Sequence, residues 1–255
     1  MRRSKVVAKL RGNRFVRMAA MGHVNPAFIR HAAHFRYDGI WLDLEHRTMT
    51  EREVQLLLAH AALSDIDVMI RPPTLEKTRL YRYLEEGASG LMIPHVSTPE
   101  KARILVEAVK FPPIGDRGFD GAGFDADYAL CDPVGYPMEA NRETFLVCQI
   151  ETPEAVRNAE KIAAVEGVDV LFIGPADLSL RLAHDPTGLN LDEAVELVRD
   201  ACGKHGKKWG ITAGTFEELK RRKALGASLV PWGSEFMAIL HELERSAWEL
   251  GDLGA

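Results

Sequence analysis

The chain has 255 residues, of which 46% are hydrophobic and 27% charged, and its formal net charge is -5. This composition is typical of a globular protein with enough chain for one large core, and no apolar run reaches the about eighteen residues of a membrane span. Basic and acidic residues are nearly balanced and dispersed, so we expect small-molecule partners, with no nucleic acid and no membrane.

Short apolar runs alternate with longer stretches whose apolar residues recur at helical spacing. The predicted strands cover residues 15–20, 39–43, 67–70, 90–93, 144–150, 168–173, 208–212 and 227–231. Helices are predicted between them, for example over 50–63 and 75–86. Eight such units in about 250 residues predict an α/β fold, a (β/α)8 TIM barrel forming one domain over residues 1–255. A doubly wound sheet would show a phosphate-binding glycine fingerprint, and none is present.

Residues 111–142 interrupt this alternation with an irregular insertion rich in Gly, Asp and Pro that has no convincing strand. A stretch of this length without periodicity is more often a functional lid or a subunit contact than a plain connection.

The three cysteines, Cys131, Cys148 and Cys202, lack CxxC spacing. We therefore expect free and mostly buried thiols in a reducing compartment. The basic N-terminus has no apolar signal region, and we expect a cytoplasmic protein.

Polar residues cluster at the carboxyl ends of the predicted strands, where a (β/α)8 barrel carries its catalytic groups. The strand ends read Asp43-Leu44-Glu45-His46, Arg71-Pro72-Pro73, Gln149-Ile150-Glu151 and Gly174-Pro175-Ala176-Asp177. The opposite strand ends carry glycines and surface residues. This one-sided distribution indicates a functional site at the carboxyl ends.

Glu151 and Asp177 end consecutive strands, so we expect their carboxylates to face one cavity. Two like charges in this arrangement need a cation, and an oxygen-only pair favours Mg²⁺, Mn²⁺ or Co²⁺ over Zn²⁺. Each residue also precedes a helix-like stretch, so the alternative for either one is a helix N-cap.

His46 and Arg71 complete the set of candidate catalytic residues. A neutral imidazole can act as a base near neutral pH, although a single histidine is often structural. Arg71 ends an apolar strand, and its guanidinium would bind a carboxylate or an enolate oxygen. The alternative for Arg71 is a salt bridge to Asp43 or Glu45. With a bound cation, this set could stabilise an enolate and move a proton.

Six strings of residues resemble a known family of enzymes. They are Asp43-Leu44-Glu45-His46, Ile70-Arg71-Pro72, Ile93-Pro94, Phe111-Pro112-Pro113-Ile114-Gly115-Asp116-Arg117-Gly118, Gln149-Ile150-Glu151-Thr152 and Phe172-Ile173-Gly174-Pro175-Ala176-Asp177-Leu178-Ser179. Together they resemble the 2-dehydro-3-deoxyglucarate aldolase and 4-hydroxy-2-oxoheptanedioate aldolase family, the metal-dependent class II pyruvate aldolases. The resemblance runs from about residue 14 to about residue 245.

The resemblance implies a (β/α)8 barrel assembled as a hexamer, a trimer of dimers. It implies reversible aldol addition of pyruvate, or a close 2-oxo acid such as hydroxypyruvate, to an aldehyde. Pyruvate would chelate a divalent cation (Mg²⁺, Mn²⁺ or Co²⁺) ligated by Glu151 and Asp177 and would be converted to its enolate. Arg71 would stabilise the enolate oxygen, and Gln149 and the backbone at Ala176 and Asp177 would hold pyruvate.

By the same resemblance, His46 is the base, and a carboxylate from a neighbouring subunit raises its basicity. Glu85 occupies that position by register, where the family more often has aspartate. A simple surface glutamate is the alternative for Glu85.

The loop after Arg117 departs from the family pattern and carries Asp120, Asp125 and Asp127. Because Arg117 is the only cation in this loop, we expect a net negative cover over the barrel opening. Such a cover would disfavour aldehydes that carry a carboxylate. The alternative is that these aspartates cap turns in a glycine-rich loop or face solvent at a subunit contact.

Other functions stay open at this stage. The same enolate chemistry could serve an oxaloacetate decarboxylase or an acyl-CoA lyase, although no basic groove for CoA is evident. A binding barrel without turnover should lack one of the candidate catalytic residues, and none is missing. A phosphosugar isomerase would use glycine-rich loops, for which Thr212-Ala213-Gly214 and Trp232-Gly233-Ser234 are weak candidates.

Overall fold

The computed structural model of the protein describes residues 1–252 and contains a curled seven-stranded sheet, in which each strand is parallel to its neighbours. The strands occur in chain order across the sheet, and they are β1 (Met18–Met21), β2 (Gly39–Asp43), β3 (Asp67–Arg71), β4 (Gly90–Ile93), β5 (Phe145–Ile150), β6 (Val170–Ile173) and β7 (Lys208–Ile211). All carboxyl ends therefore lie at one edge. We call the last residue of each strand and the residues directly after it the carboxyl rim.

Twelve α-helices accompany the strands in residues 1–252. They are α1 (Lys5–Arg11), α2 (Pro26–His34), α3 (Glu51–Leu63), α4 (Lys77–Glu85), α5 (Pro99–Val109), α6 (Tyr136–Glu143), α7 (Pro153–Arg157), α8 (Ala159–Ala163), α9 (Pro175–Leu182), α10 (Leu191–Lys204), α11 (Phe216–Ala224) and α12 (Glu235–Gly251). Thr50 and Glu53 form a capping box at the start of α3, which places this helix where the apolar spacing predicts it.

Apolar side chains cover both faces of the sheet, which explains why the strands read as continuous apolar runs. Ile40 and Leu42 belong to the larger cluster between the sheet and the helices. Trp41, Met69 and Phe172 belong to a second cluster inside the curled sheet. Successive side chains of a strand point to opposite faces, so each strand contributes residues to both clusters. Packing on both faces fixes the positions of the strands and therefore of their ends.

The strand predicted at 227–231 does not form as a regular strand, so this part of the eight-strand prediction is corrected. Leu229 makes single parallel bridges with Val16 and with Gly210. Pro231 has no backbone N–H and cannot extend a hydrogen-bonded ladder. The segment therefore lies between β7 and Val16, which is just before β1. Isolated bridges join it to both sides.

The described structure confirms that residues 111–142 contain no strand. Asp125 lies there in a short 3₁₀ helix and is buried. Its Oδ2 accepts hydrogen bonds from Arg117 Nη2 at 2.8 Å and from the Tyr136 hydroxyl at 2.7 Å. The expectation that Asp125 presents a free negative charge at the barrel opening is wrong, because an internal arginine neutralises it.

The other two acidic residues of this loop lie in separate places. Asp127 lines a cavity of about 360 Å³ together with Arg2 and Ser89, next to the amino end of β4. Asp127 is therefore also wrongly predicted at the barrel opening. Asp120 lines a different, outer cavity of about 580 Å³ together with Glu85.

Within residues 1–252, no helix is both long and apolar enough to cross a membrane. Cys131, Cys148 and Cys202 are free, and the last two are buried. Burial raises the pKa of Cys148 and of Cys202 to about 12, so both thiols stay protonated and unreactive. The prediction of free and mostly buried thiols is confirmed.

Candidate functional site

Arg71 ends β3 directly beside Asp43, which ends β2. Its Nε and Nη2 lie 2.9 Å from the two carboxylate oxygens of Asp43, and Nη1 lies 3.0 Å from Glu45 Oε2. The guanidinium also lies over the Trp41 ring, 4.8 Å from its centre. Burial acts to raise the pKa of Asp43, but the hydrogen bonds and charge of Arg71 outweigh it and lower this pKa. The salt bridges considered as an alternative for Arg71 are present, and they fix its orientation.

Glu151 directly follows β5 and is 2% exposed. Both of its carboxylate oxygens accept hydrogen bonds from neighbouring residues. Oε2 accepts a hydrogen bond from Gln149 Nε2 at 2.7 Å. Oε1 accepts one from the His95 backbone N–H at 2.6 Å and lies 2.9 Å from His95 Nδ1. His95 Nε2 lies 3.6 Å from Glu45 Oε1, which joins this group to the partners of Arg71. Residues from four consecutive strand ends thus form one network.

Asp177 lies in the first turn of α9, just after β6. Its Oδ1 lies 3.0 Å from Arg181 Nη1, which also donates to the Glu151 backbone carbonyl at 2.8 Å. Burial raises the pKa of Glu151, His95 opposes this increase, and the charges of Glu45 and Asp177 add to it. The two carboxylates therefore interact electrostatically at the carboxyl rim.

Neither carboxylate is a helix N-cap, which excludes that alternative. Thr152 caps α7 by accepting a hydrogen bond from the Ala155 amide, and Gly174 is the N-cap of α9. Since Gly174 has no side chain, the amides of Ala176 and Asp177 have no acceptor within residues 1–252. Free amides at a helix N-terminus favour the binding of an anion.

His46 and Glu85 are not brought together within one chain. His46 lies at the carboxyl rim, with 58% of its side chain exposed and its Nε2 3.7 Å from Glu45 Oε2. Glu85 ends α4 on the outer surface, and its carboxylate has no hydrogen bond or ion pair to any residue the structure describes. Burial raises the pKa of Glu85; Arg117 opposes this increase and Asp125 adds to it. A neighbouring subunit would have to supply the predicted carboxylate.

The donors around Glu151 and Asp177 fit a hard divalent cation. Oε1 of Gln149 is buried without a hydrogen-bond partner, so it adds an available oxygen. A Cβ at Gly174 would lie 2.8 Å from Glu151 Oε2, so glycine keeps this side of the carboxylate open. In the described part of the chain, no three His, Cys, Asp or Glu side chains are grouped to hold a metal. Two carboxylates alone would leave positions for water or substrate.

His95 and Glu45 are site residues that the sequence analysis did not assign. His95 has a φ of 54°, a left-handed conformation that is uncommon for a residue with a side chain. This conformation directs both its backbone N–H and its ring toward Glu151. The available signal was its position shortly after the end of β4, the same rule that identified the other candidates.

A curled parallel sheet with paired carboxylates, an arginine and a histidine at its carboxyl rim defines a class of α/β enzymes, and comparison with known proteins identifies the family. The family model described as HpcH/HpaI aldolase/citrate lyase matches residues 20–241. A hydroxypyruvate/pyruvate aldolase of Deinococcus radiodurans is 35% identical over 84% of this chain and 77% of that protein. A 2-dehydro-3,6-dideoxy-6-sulfogluconate aldolase of Pseudomonas putida is 32% identical over 81% of this chain and 78% of that protein. A crystal structure of an HpcH/HpaI aldolase from Desulfitobacterium hafniense has a TM-score of 0.87 at 29% identity and covers 95% of both chains.

The chain therefore belongs to the HpcH/HpaI aldolase/citrate lyase family, and the resemblance drawn from its sequence is confirmed. It is an aldolase, a carbon–carbon lyase. The family generally depends on a divalent metal.

Proposed function

We propose that this enzyme catalyses reversible aldol cleavage of a 4-hydroxy-2-oxo acid to pyruvate, or hydroxypyruvate, and an aldehyde. The observation that carries this proposal is the network joining Arg71 to the buried Glu151 through Glu45 and His95. This network supports the proposal because it joins a guanidinium and a carboxylate at the carboxyl rim. Enolate chemistry needs both, since one group stabilises the developing negative charge and the other holds the cation.

Glu151 and Asp177 would hold Mg²⁺, Mn²⁺ or Co²⁺, and the unpartnered Gln149 Oε1 would accept a hydrogen bond from a water bound to the cation. When bound, the cation would act as a Lewis acid toward the 2-oxo group. The free amides of Ala176 and Asp177 would bind the pyruvate carboxylate at the N-terminus of α9. The 2-oxo acid would then be fixed at its carboxylate end, with its methyl carbon free to react.

Arg71 and His46 would carry the chemistry at the other end of pyruvate. Nε and Nη2 of Arg71 bind Asp43, and Nη1 lies 3.0 Å from Glu45 Oε2. Each Nη carries two hydrogens, so a remaining N–H of Nη1 or Nη2 would donate to the enolate oxygen. In the addition direction, a base removes a proton from the methyl carbon, and this carbon attacks the aldehyde. The new 4-oxygen then takes up a proton. His46 is our candidate for moving these protons, because its imidazole lies next to Arg71's partner Glu45 and, unlike that of His95, is not held by Glu151.

We further propose that the active form is a homo-oligomer, namely the hexamer, or trimer of dimers, that the family resemblance implies. Helix α12 supports chain–chain contact, because Glu235 is its only buried residue among those described. Its large exposed apolar residues are Phe236, Met237, Ile239, Leu240, Leu243, Trp248 and Leu250. Association would cover this surface and could bring Glu85 of one subunit to His46 of another.

Two further points belong to this proposal. We infer that the segment at 227–231 takes the place of an eighth strand and completes a (β/α)8 barrel, because Leu229 bridges residues on both sides. We also infer a cytoplasmic enzyme, since all three cysteines are free.

The proposed function is tested by incubating the protein with Mn²⁺, pyruvate or hydroxypyruvate, and a panel of small aldehydes. Mass spectrometry should detect 4-hydroxy-2-oxo acids, and EDTA should abolish their formation. Formation of no aldol product, together with rapid release of CO₂ from oxaloacetate, would instead support the decarboxylase alternative.

A further inference from the structure

His95 adopts a left-handed backbone conformation, with φ at 54°, although its side chain disfavours this conformation. The residue lies between β4 and α5, and its backbone N–H and its ring both contact Glu151. A backbone conformation of this kind persists only where neighbouring groups hold it. The backbone carbonyl of the same residue accepts a hydrogen bond from Lys101 Nζ at 2.8 Å.

Lys101 lies in the first turn of α5, and its backbone is fixed there. Its amide N–H donates to the hydroxyl of Thr98, the N-cap of α5, at 3.2 Å. The connection from β4 is also attached to the sheet, because the Val96 N–H donates to the Gln149 carbonyl at 3.2 Å. The base of the lysine side chain and the segment that it reaches are therefore both held in place.

The side chain of Lys101 is half-buried and points back toward the carboxyl rim. Its ammonium forms no ion pair in residues 1–252, and its contact there is the hydrogen bond to the His95 carbonyl. Burial lowers the pKa of Lys101, and the charge of Glu151 opposes this decrease. Lysine side chains on a helix surface normally extend their charge into water. This one instead places its ammonium beside the segment that contacts Glu151.

We propose that Lys101 is a positioning residue of the active site, whose ammonium holds His95 in the left-handed conformation that orients Glu151. Three contacts support this: 2.8 Å from Lys101 Nζ to the His95 carbonyl, 2.6 Å from the His95 N–H to Glu151 Oε1, and 2.9 Å from His95 Nδ1 to the same oxygen. Without the ammonium, the residue is free to return to a negative φ, which turns its N–H and ring away from Glu151. The inference rests on the proposed function, because it takes Glu151 to be a ligand of the cation.

The experiment compares Lys101→Met, which keeps the length of the side chain but removes the ammonium, with Lys101→Arg, which keeps a charged donor. The first readout is the long-range proton–nitrogen NMR spectrum of the His95 ring in the metal-free protein at about pH 8, where an ordinary imidazole is neutral. Its signals are assigned by their loss in His95→Ala. In the wild type, Nδ1 should carry the proton, because it donates to the Glu151 carboxylate. In Lys101→Met we expect Nδ1 without a proton, since a solvated imidazole carries it mainly on Nε2.

The second readout is Mn²⁺ affinity, measured by electron paramagnetic resonance of free Mn²⁺. Lys101→Met should lower this affinity about fivefold, less than the about 10-fold to 100-fold loss typical of removing a direct partner of a metal ligand. Lys101→Arg should restore most of the loss. Arg103→Met is the matched control, because Arg103 lies two residues further along α5 and pairs with Glu100. It should change neither readout.

A protonated Nδ1 in folded Lys101→Met would overturn the inference, because His95 would then keep its place without the ammonium. Loss of the Nδ1 proton together with wild-type Mn²⁺ affinity would overturn it as well, since the contact would not serve the cation site. If the Nδ1 readout follows the prediction but the wild type binds no Mn²⁺, the proposed function fails, and the inference fails through it. Both lysine variants should stay folded, because the lysine lies at the surface.

Discussion

Replacing Gly174 by alanine perturbs the proposed cation site without removing any functional group. The backbone angles of Gly174, φ -90° and ψ 90°, are negative-φ values that alanine can adopt. A Cβ there would lie 2.8 Å from both Gln149 Nε2 and Glu151 Oε2, and 3.2 Å from Glu151 Cβ. Since non-bonded heavy atoms prefer separations of about 3.5 Å, both side chains must move by roughly half an ångström.

This movement should reduce stability and metal affinity by amounts that can be measured separately. Overpacking a close-packed site costs about 1–3 kcal/mol, and alanine is a poorer N-cap than glycine by about 0.5 kcal/mol. We therefore expect the free energy of unfolding to fall by about 2 kcal/mol. Because Gln149 orients the Glu151 carboxylate, we expect Mn²⁺ affinity to fall by about 10-fold to 100-fold.

Urea denaturation measures the change in stability, and electron paramagnetic resonance of free Mn²⁺ measures the affinity. Gly203→Ala is the matched control, because Gly203 lies in α10 with no atom within 4 Å of its Cβ position. Alanine there should stabilise the helix by about 0.5–1 kcal/mol and leave Mn²⁺ affinity unchanged. A folded Gly174→Ala protein with wild-type Mn²⁺ affinity would refute the assignment of Glu151 as a ligand.

Four further substitutions test other parts of the account. Asp177→Asn should weaken Mn²⁺ binding and nearly abolish turnover, because it removes the charge of one of the two proposed ligands; normal binding in a titration would contradict this. His95→Ala should lower Mn²⁺ affinity about tenfold while the protein stays folded, since the Glu151 carboxylate loses an orienting imidazole. Glu85→Gln should lower kcat and move the rising limb of the pH–rate profile to lower pH, because a nearby negative charge favours the protonated imidazole; an unchanged profile would exclude the subunit pair. Asp125→Ala should cost about 3–5 kcal/mol in urea denaturation, because it leaves the buried Arg117 guanidinium unpaired, and a loss below about 1 kcal/mol would show that the pair is not structural.

The fold was predictable wherever hydrophobic periodicity alone decides the local structure. The predicted strands at 39–43 and 90–93 coincide with β2 and β4. The absence of a regular strand at 227–231 was not predictable in the same way. Leu229 is part of an apolar run that favours a strand, but Pro231, two residues later, cannot donate a backbone hydrogen bond. Whether such a segment forms a ladder depends on the two neighbouring strands, which lie far away in the sequence.

The candidate site was predictable to the extent that one rule, polar residues at carboxyl strand ends, locates it. That rule selected Glu151 and Arg71, which the structure joins through a chain of contacts. The same rule covers His95, which lies two residues after β4 but was not among the predicted site residues. Its contact with Glu151 was not predictable, because the left-handed backbone that turns it toward Glu151 has no local sequence signature. The burial of Asp125 depends on Arg117 and Tyr136, whose approach is set by tertiary packing and not by local sequence pattern.

Enolate formation from pyruvate is the central claim, and proton exchange at the methyl carbon tests it without any choice of aldehyde. The protein is incubated with Mn²⁺ and pyruvate in D₂O, the metal is then removed, and the methyl signal is followed by proton NMR. Metal-dependent loss of this signal in the wild type, abolished in Asp177→Asn, is the predicted result. A methyl signal that decays no faster with enzyme and Mn²⁺ than with Mn²⁺ alone would contradict enolate formation at this site.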